Sequence, residues 1–295
     1  MSESIELLIH GRERDLGSGM KVSRVLPYVK RRAVGPFIFI DRMGPNEFGP
    51  GQAMDVRPHP HIGLATMTYM FEGAGVHRDS LGVVQEIHPG DINWMTAGRG
   101  IVHSERSRPQ DRSGGVRMDG LQNWIALPRE HEETEPNFIH HPRDTLPFVE
   151  MGRAKLHVAV GQVYGAQSPV KTFSEMFYVE ARMARGTELP MPDNYEERAI
   201  YVVKGSLQVR GQSAVPSVTP GALAVLRAGA SVVVEAEQDA HFVLLGGEPL
   251  DGPRHLWWNF VHSSPERIEQ AKRDWVEGRF PQVPGETEFI PLPEE

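Results

Sequence analysis

Two short motifs contain residues that could bind a metal ion. His59-Pro60-His61 comes just before an apolar run at residues 64–71, and His103-Ser104-Glu105 comes further along the chain. In an extended chain, residues i and i+2 point to the same face about 6.6 Å apart. Two such pairs on neighbouring strands would bring three imidazoles and one carboxylate around one point, within reach of metal bonds of about 2.0–2.2 Å. The spacing therefore predicts a metal site formed by His59, His61, His103 and Glu105.

The absence of cysteine limits the chemistry of this site. A chain without cysteine has no disulfide, Fe–S cluster, thiolate zinc site or cysteine nucleophile. Imidazole and carboxylate ligands suit Fe(II), Mn(II), Ni(II), Cu(II) or Zn(II), and the spacing does not choose among these ions. Three neutral imidazoles and one carboxylate around an octahedral divalent ion would leave two positions open, one for an oxygen of an enol or diol and one for O2.

Other polar residues near the motifs have two interpretations each. His77 and Asp79 could orient a ligand imidazole or the substrate, or they could belong to a loop. Glu72 could be a base near the metal, but a turn residue beside Gly73 is the favoured interpretation. A basic cluster could attract an anionic substrate, or it could be a solvated loop; its members are Arg106, Arg108, Arg112 and Arg117.

The composition predicts an all-β fold. The chain has 295 residues with 30 glycines and 24 prolines, and short alternating apolar runs recur along its length. Such a chain is typical of many short strands joined by turns. One helix is predicted near the end, where Ser264 is a candidate N-cap, Pro265 takes the first helical position and Gly278 follows the last turn.

A weak internal repeat predicts two domains. Residues 68–73 resemble residues 199–205, and Pro89-Gly90-Asp91 resembles Pro220-Gly221-Ala222, in both cases about 130 residues apart. We expect an N-terminal metal-binding domain at 1–135 and a C-terminal domain at 136–295. In the second copy the three histidines correspond to Met191, Asp193 and Val234, so this domain is expected to lack metal.

Charge and hydropathy exclude several classes of partner. The formal net charge of −8 argues against non-specific binding to nucleic acid or to anionic membranes. The first residues carry Glu and Arg where a signal peptide needs an apolar core, and no run approaches the ~20 apolar residues of a membrane-spanning helix. The expected location is the cytoplasm.

The motifs together resemble the pirin family of the cupin superfamily. The resemblance extends over nearly the whole chain, and the segments that carry it are HPHIGLATMTYMFEGAGVHRDSLG, PGDINWMTAGRGIVHSE, PFIFIDRMGP, LQNWIALP and the WWNFVHSS segment at the start of residues 257–275. It implies two antiparallel β-barrels of the cupin or jelly-roll type packed face to face, with iron in the first. The family's ligands correspond to His59, His61, His103 and Glu105. Ordinary cupins have an acid shortly after H-x-H, whereas here residues 63–66 contain none.

The resemblance also implies a function. It points to a quercetin 2,3-dioxygenase-like reaction, in which Fe(II), O2 and a flavonol or related enol react with loss of carbon monoxide. Glu105 would then be both a ligand and the base. The alternative is a metal- and redox-dependent regulator that binds a transcription factor or a metabolic enzyme. A sugar isomerase or a plain ligand-binding cupin is a third, weaker alternative.

Overall fold

The structure, a computed structural model, describes residues 4–15, 20–211 and 217–294. Its elements, in chain order, are β1 Ile5–His10, β2 Arg12–Asp15, β3 Lys21–Leu26, β4 Phe37–Arg42, β5 Asn46–Phe48, β6 Asp55–His61, β7 Leu64–Glu72, β8 Gly75–Asp79, β9 Val84–Ile87, β10 Ile92–Thr96, β11 Ile101–Arg106, α1 Pro109–Gly114, β12 Val116–Ala126 and β13 Asn137–His141. The second half contains β14 Phe148–Met151, β15 Ala154–Val160, β16 Gln162–Val163, β17 Ala166–Gln167, β18 Met176–Met183, β19 Glu188–Pro190, β20 Glu197–Lys204, β21 Leu207–Arg210, β22 Ala222–Leu226, β23 Val233–Ala236, β24 Ala240–Gly247, β25 His255–Trp257, β26 Phe260–His262 and α2 Pro265–Val276.

The described residues divide into two units that are not continuous in sequence. The N-terminal unit contains Asp41–His141 and the segment from Leu250 onward, and the C-terminal unit contains Ser23–Ile40, Pro142–Pro249 and β1. The predicted domain bounds of 1–135 and 136–295 stay a prediction. The exchange of end segments between the units has a physical reason: β1 pairs with β22, and α2 packs on residues of the N-terminal unit.

The N-terminal unit contains the two His motifs. In one of its sheets β7 pairs with β10 and β12, and β10 also pairs with β13. A second sheet has the order β6-β11-β8-β9, with every neighbouring pair antiparallel. Both His motifs therefore lie on adjacent strands of one sheet, as the spacing predicted.

The C-terminal unit is built on an apolar core. Its larger sheet has the order β1-β22-β20-β24-β18-β15-β14, and a smaller sheet has the order β19-β23-β21. Met191 and Val234, which correspond to ligand histidines in the repeat, are buried in this core. Asp193 is exposed.

These sheets confirm the all-β prediction. In the described part of the chain they are separate sheets rather than closed barrels. The predicted face-to-face packing of the two domains stays a prediction.

The repeat is visible in the backbone. Gly73 and Gly205 follow the equivalent strands β7 and β20 with φ of 79° and 80°. A Cβ at Gly73 would lie 2.5 Å from the Arg117 carbonyl oxygen, and one at Gly205 would lie 2.4 Å from that of Asp239. Glycine is required at both turns because positive φ and the close carbonyl each exclude a side chain.

Helix α2 forms as the sequence predicted. The Ser264 side chain accepts a hydrogen bond from the Arg267 N–H, and Pro265 stands at the start of the helix. The buried side chains of Ile268 and Ala271 pack in one apolar cluster with Ile62, the residue after β6. No helix in the described residues is long and apolar enough to cross a membrane.

The segment after α2 is bound to both strands that carry the His motifs. The Ile290 N–H donates to the Pro58 carbonyl of β6 over 2.8 Å. On β11, the Ser104 hydroxyl donates to Glu286 over 2.8 Å, and Arg106 donates to both oxygens of Glu286 over 3.2 and 2.5 Å. This segment therefore fixes the face of β6 and β11 opposite the histidines.

The Arg106–Glu286 pair predicts a pH-dependent contribution to stability. The hydrogen bonds that Arg106 donates to Glu286 hold the pKa of Glu286 below its usual value. A carboxyl with a lowered pKa stabilises the fold above its unfolded-state pKa and loses that contribution as pH falls through its folded-state pKa. We expect Glu286→Gln to lower the free energy of unfolding by about 1–2 kcal/mol at pH 7, and by progressively less below about pH 4.5.

Urea unfolding followed by tryptophan fluorescence measures this effect. All five tryptophans lie in the N-terminal unit, so the signal reports the correct part of the chain. Glu288→Gln is the matched control, because Glu288 contacts the same arginine but is 57% exposed; its cost should stay below about 0.5 kcal/mol. Equal costs for the two variants would contradict a specific role for Glu286.

Candidate metal centre

Three histidines meet because β6 and β11 are antiparallel. In this pair His103 lies opposite His59, and Ile101 lies opposite His61. Since His59 and His61 are two residues apart on β6, both side chains point to the face that His103 occupies. The three side chains are 7%, 1% and 2% exposed. Strand pairing alone therefore brings them together in a buried position.

The imidazoles approach closely enough to share one ion. One nitrogen of each ring lies within 4.8 Å of a nitrogen of the other two. The Nε2 atoms of His61 and His103 are 3.1 Å apart, and the rings of His59 and His103 have their centroids 4.4 Å apart. Two nitrogens that each lie about 2.1 Å from one cation, at roughly a right angle, are about 3.0 Å apart.

Backbone carbonyls decide which nitrogen of His59 and His61 carries a proton. Nδ1 of His59 lies 2.9 Å from the Arg57 carbonyl oxygen, and Nδ1 of His61 lies 3.1 Å from that of Asn259. Because a carbonyl only accepts hydrogen bonds, both Nδ1 atoms donate. In the neutral rings Nε2 is then left with its lone pair, which is the form that binds a metal.

Burial keeps these rings neutral. It lowers the pKa of His59 to about 4. It also holds the pKa values of His61 and His103 well below the usual histidine value, and the nearby His59 lowers both further. Protons therefore compete weakly with a cation for these nitrogens near neutral pH.

Glu105 lies beside this group rather than within it. It is the second residue after His103 on β11, but the register with β6 shifts between these residues, so that Glu105 lies opposite Val56. Its carboxylate is not among the groups that converge in the described residues. Burial raises the pKa of Glu105 to about 7. Its predicted role as fourth ligand stays a prediction.

Glu105 faces a small cavity. The cavity has a volume of about 20 Å³, and its lining includes His77, Asn93, Met54 and Met118. That volume holds about one water molecule. Most of the residues that line the cavity are apolar. Apolar surroundings disfavour the charged carboxylate, which explains why the pKa of Glu105 is raised.

His77 and Asp79 lie in a strand rather than in a loop. Both belong to β8, which pairs with β11 so that Asp79 lies opposite His103 and His77 opposite Glu105. His77 is 7% exposed and Asp79 is fully buried. The rings of His77 and His103 have their centroids 5.3 Å apart. The structure thus places both residues directly beside the three histidines.

The remaining candidates lie outside the group. Glu72 is exposed and its carboxylate is 3.2 Å from the Arg117 guanidinium, which fits the interpretation as a turn residue. The other members of the basic cluster also have acidic partners: Arg106 contacts Glu286, Arg108 contacts Asp111 and Arg112 contacts Asp55. Their charges are therefore largely compensated within the chain.

Three residues of the centre were not singled out by sequence reasoning. Trp124 places its ring edge-on to His61 with the centroids 5.1 Å apart. Phe138 stacks on His77 at 4.3 Å. Asn259 contributes only its carbonyl, which any residue has, so its type gave no signal; its position within the pirin-like WWNFVHSS segment was the one available indication.

The donor set fits a divalent cation. The Nε2 atoms of His61 and His103 are 3.1 Å apart, and if both carry lone pairs they repel unless a cation lies between them. The centre is buried, so water does not compensate this repulsion fully. Neutral imidazoles with a nearby carboxyl are suitable for several transition metals.

Comparisons with known proteins show which proteins this chain is similar to. The model of the Pirin family matches residues 19–125, and that of the Pirin C-terminal cupin domain matches residues 178–281. A pirin-like protein of Caulobacter vibrioides is 48% identical over 98% of this chain and 100% of its own length. A Pseudomonas aeruginosa protein named "Putative quercetin 2,3-dioxygenase" is 37% identical over 92% of this chain and 83% of its own length.

A solved structure extends the comparison to the fold. The crystal structure of a quercetin 2,3-dioxygenase from Acinetobacter baumannii is 33% identical to this chain, with a TM-score of 0.90. The match covers 98% of this chain and 95% of that one. Both units therefore have the same fold as that protein.

Removal of one imidazole should abolish stabilisation by metal. A cation that binds the folded protein at 100 times its Kd adds about 2.7 kcal/mol to stability. We expect Fe(II), added under anaerobic conditions, to raise the thermal midpoint of the wild-type protein by several degrees and that of His61→Ala by less than about one degree.

Differential scanning calorimetry with and without metal makes this comparison. His88→Ala is the control, since His88 is half-exposed on the surface beside Glu86 and its loss should leave the metal-induced shift unchanged. A full shift in His61→Ala would show that the metal binds elsewhere.

Proposed function

The chain belongs to the pirin family, and from this premise we propose that it is a metal-dependent oxygenase that opens the heterocyclic ring of quercetin or a related flavonol. The observation that carries the proposal is the convergence of three buried imidazoles, with one nitrogen of each ring within 4.8 Å of a nitrogen of the other two. The similarity to proteins named as quercetin 2,3-dioxygenases supports the reaction type.

The resident metal in this proposal is Fe(II), held by His59, His61 and His103. The resemblance to pirins favours iron, although the donor set also suits Mn(II), Ni(II), Cu(II) or Zn(II). When bound, the metal would supply a Lewis acid for the substrate's enolate oxygen and an exchangeable position for dioxygen. In the proposal Glu105 completes the ligand set.

Glu105 has a second role as proton acceptor. A flavonol reacts with O2 as its 3-enolate, so a base must take the proton of the 3-hydroxyl. Glu105 is the carboxyl that faces the cavity, with His77 and Asn93 on its walls. Proton transfer to a positioned carboxylate contributes about 10²–10⁴-fold to such reactions.

The cavity must enlarge before a flavonol can enter. Pockets for organic ligands usually measure about 300–1,000 Å³, and the cavity beside Glu105 measures about 20 Å³. Four methionines line it: Met43, Met54, Met70 and Met118. Methionine has three rotatable bonds and adapts to different shapes, so we propose that these side chains move aside to admit the planar substrate.

The alternative function, a metal- and redox-dependent regulator, stays a prediction. The cytoplasmic location and the binding of a protein partner also stay predictions.

Turnover of quercetin tests the proposal. The protein, purified anaerobically with Fe(II), should consume one O2 for each carbon monoxide released when quercetin is added. His61→Ala should show no turnover above background, and Glu105→Gln should lower kcat by about 10²–10⁴-fold. An oxygen electrode measures the O2 consumed, and carbon monoxide capture measures the carbon monoxide released.

The control is a surface histidine outside the candidate metal centre. His88→Ala should keep the wild-type rate. If wild-type protein with one Fe(II) per chain consumes no O2 with quercetin and releases no carbon monoxide, the flavonol oxygenase proposal is wrong.

A further inference from the structure

A chain of three polar side chains continues outward from His103. Nδ1 of His103 lies 3.4 Å from Nδ1 of His77, and Nε2 of His77 lies 2.8 Å from Oδ2 of Asp79. The ring of His77 is held in its plane by Phe138, which stacks on it at 4.3 Å with an angle of 18° between the rings. This series of contacts begins at His103, which faces the candidate metal site, and ends at the buried carboxylate of Asp79.

The carboxylate of Asp79 is fixed at both oxygens. Oδ1 accepts hydrogen bonds from the backbone N–H groups of Leu81 and Val83 over 2.9 and 3.1 Å. Oδ2 is then the atom that faces His77, and the side chain is fully buried. Rotation about the terminal bond would break two backbone hydrogen bonds, so the acceptor presented to His77 is constant.

These contacts determine which nitrogen of each ring carries the proton. A carboxylate accepts, so Nε2 of His77 donates to Asp79, and in a His77 ring that carries this one proton Nδ1 is an acceptor. Nδ1 of His103 must then donate to His77. Nε2 of His103 is left with its lone pair, and this is the atom that lies 3.1 Å from Nε2 of His61.

The Nδ1 atom of His103 differs from those of His59 and His61 in the kind of partner that it contacts. The Nδ1 atoms of His59 and His61 donate to backbone carbonyls. The partner of His103 Nδ1 is instead a side chain that could carry its proton on either nitrogen. Without Asp79, nothing in the contact between His77 and His103 would select the form of His103 that binds a metal.

We propose that His77 and Asp79 are positioning residues that set the tautomer of His103 and aim its Nε2 lone pair at the metal. The inference rests on the metal-binding part of the proposed function and requires neither the flavonol nor O2. Carboxylates and other acceptors behind metal-bound histidines typically change metal affinity about 10–100-fold.

The substitution Asp79→Asn makes this proposal sharply testable. The amide oxygen would keep the two backbone hydrogen bonds, and the amide nitrogen would face His77 in place of Oδ2. A donor at that position makes Nε2 of His77 an acceptor and moves its proton to Nδ1. Nδ1 of His103 must then accept, so the proton of His103 moves to Nε2, the atom that should bind the metal.

The first measurement uses metal-free protein labelled with ¹⁵N histidine. Long-range ¹H–¹⁵N NMR spectra distinguish the two neutral tautomers of each ring. In the wild-type protein we expect His77 with its proton on Nε2 and His103 with its proton on Nδ1, and in Asp79→Asn we expect both to be reversed. If wild-type His103 carries its proton on Nε2, the proposal is wrong, and this result does not depend on whether Asp79→Asn folds.

The second measurement is the affinity for Fe(II), or for Co(II) as a spectroscopic probe, determined by competition with a chelator. Asp79→Asn should bind about 10–100-fold more weakly than wild type. The double variant His77→Ala with Asp79→Asn should recover most of this loss, because the wrongly oriented donor is gone. If Asp79→Asn weakened metal binding only by damaging the packing, the further loss of the His77 side chain in the double variant would weaken metal binding again.

Glu86→Gln is the matched control. Glu86 and His88 form a similar carboxylate–imidazole pair at 3.2 Å, but both are about half-exposed and neither contacts the centre. This variant should bind metal like wild type. Unchanged affinity in Asp79→Asn, or no recovery in the double variant, overturns the proposal, whereas loss of quercetin turnover with these results intact would affect only the proposed reaction.

Discussion

The lone pairs that face each other at the centre of the N-terminal unit constrain much of the surrounding structure. Nε2 of His61 and Nε2 of His103 are 3.1 Å apart, in a position where burial lowers the pKa of both rings. Protein burial ordinarily pairs an acceptor with a donor. Here the backbone contact of His61 and the side-chain contact of His103 occupy the Nδ1 atoms, so the Nε2 atoms are left for a cation.

The surrounding structure serves to maintain this arrangement. The register of β6 against β11 sets the positions of the rings. Residues 286–290 bind the opposite face of the same two strands. The C-terminal unit has the same glycine-marked turns and equivalent strands, yet apolar residues fill the positions of two of the histidines. The two copies of the repeat thus share a fold while the candidate chemistry lies in one of them.

Sequence reasoning reached the parts of this account that depend on local spacing. The i,i+2 pairs on extended chain predicted that His59, His61 and His103 would meet, and the cap at Ser264 predicted the start of α2. It did not reach the features that depend on how strands align. The register shift between His103 and Glu105, which places Glu105 opposite Val56, has no signal in the motif His-Ser-Glu.

Contacts between segments far apart in the sequence could not be predicted from the sequence either. The Asn259 carbonyl that accepts from His61 comes from 198 residues away, and a carbonyl is present whatever the residue type. The exchange of end segments between the units required knowing that β1 pairs with β22. His77 and Asp79 were noticed from their types, but only the pairing of β8 with β11 places them behind His103.

The central claim is that His59, His61 and His103 hold one divalent metal ion through their Nε2 atoms. Anomalous diffraction from crystals of the iron-loaded protein, recorded above and below the iron absorption edge, tests it directly. The account predicts a single strong anomalous peak per chain, about 2.0–2.2 Å from the Nε2 atoms of all three histidines. A peak bound to other residues, or no peak at these histidines in protein shown to contain iron, would contradict it.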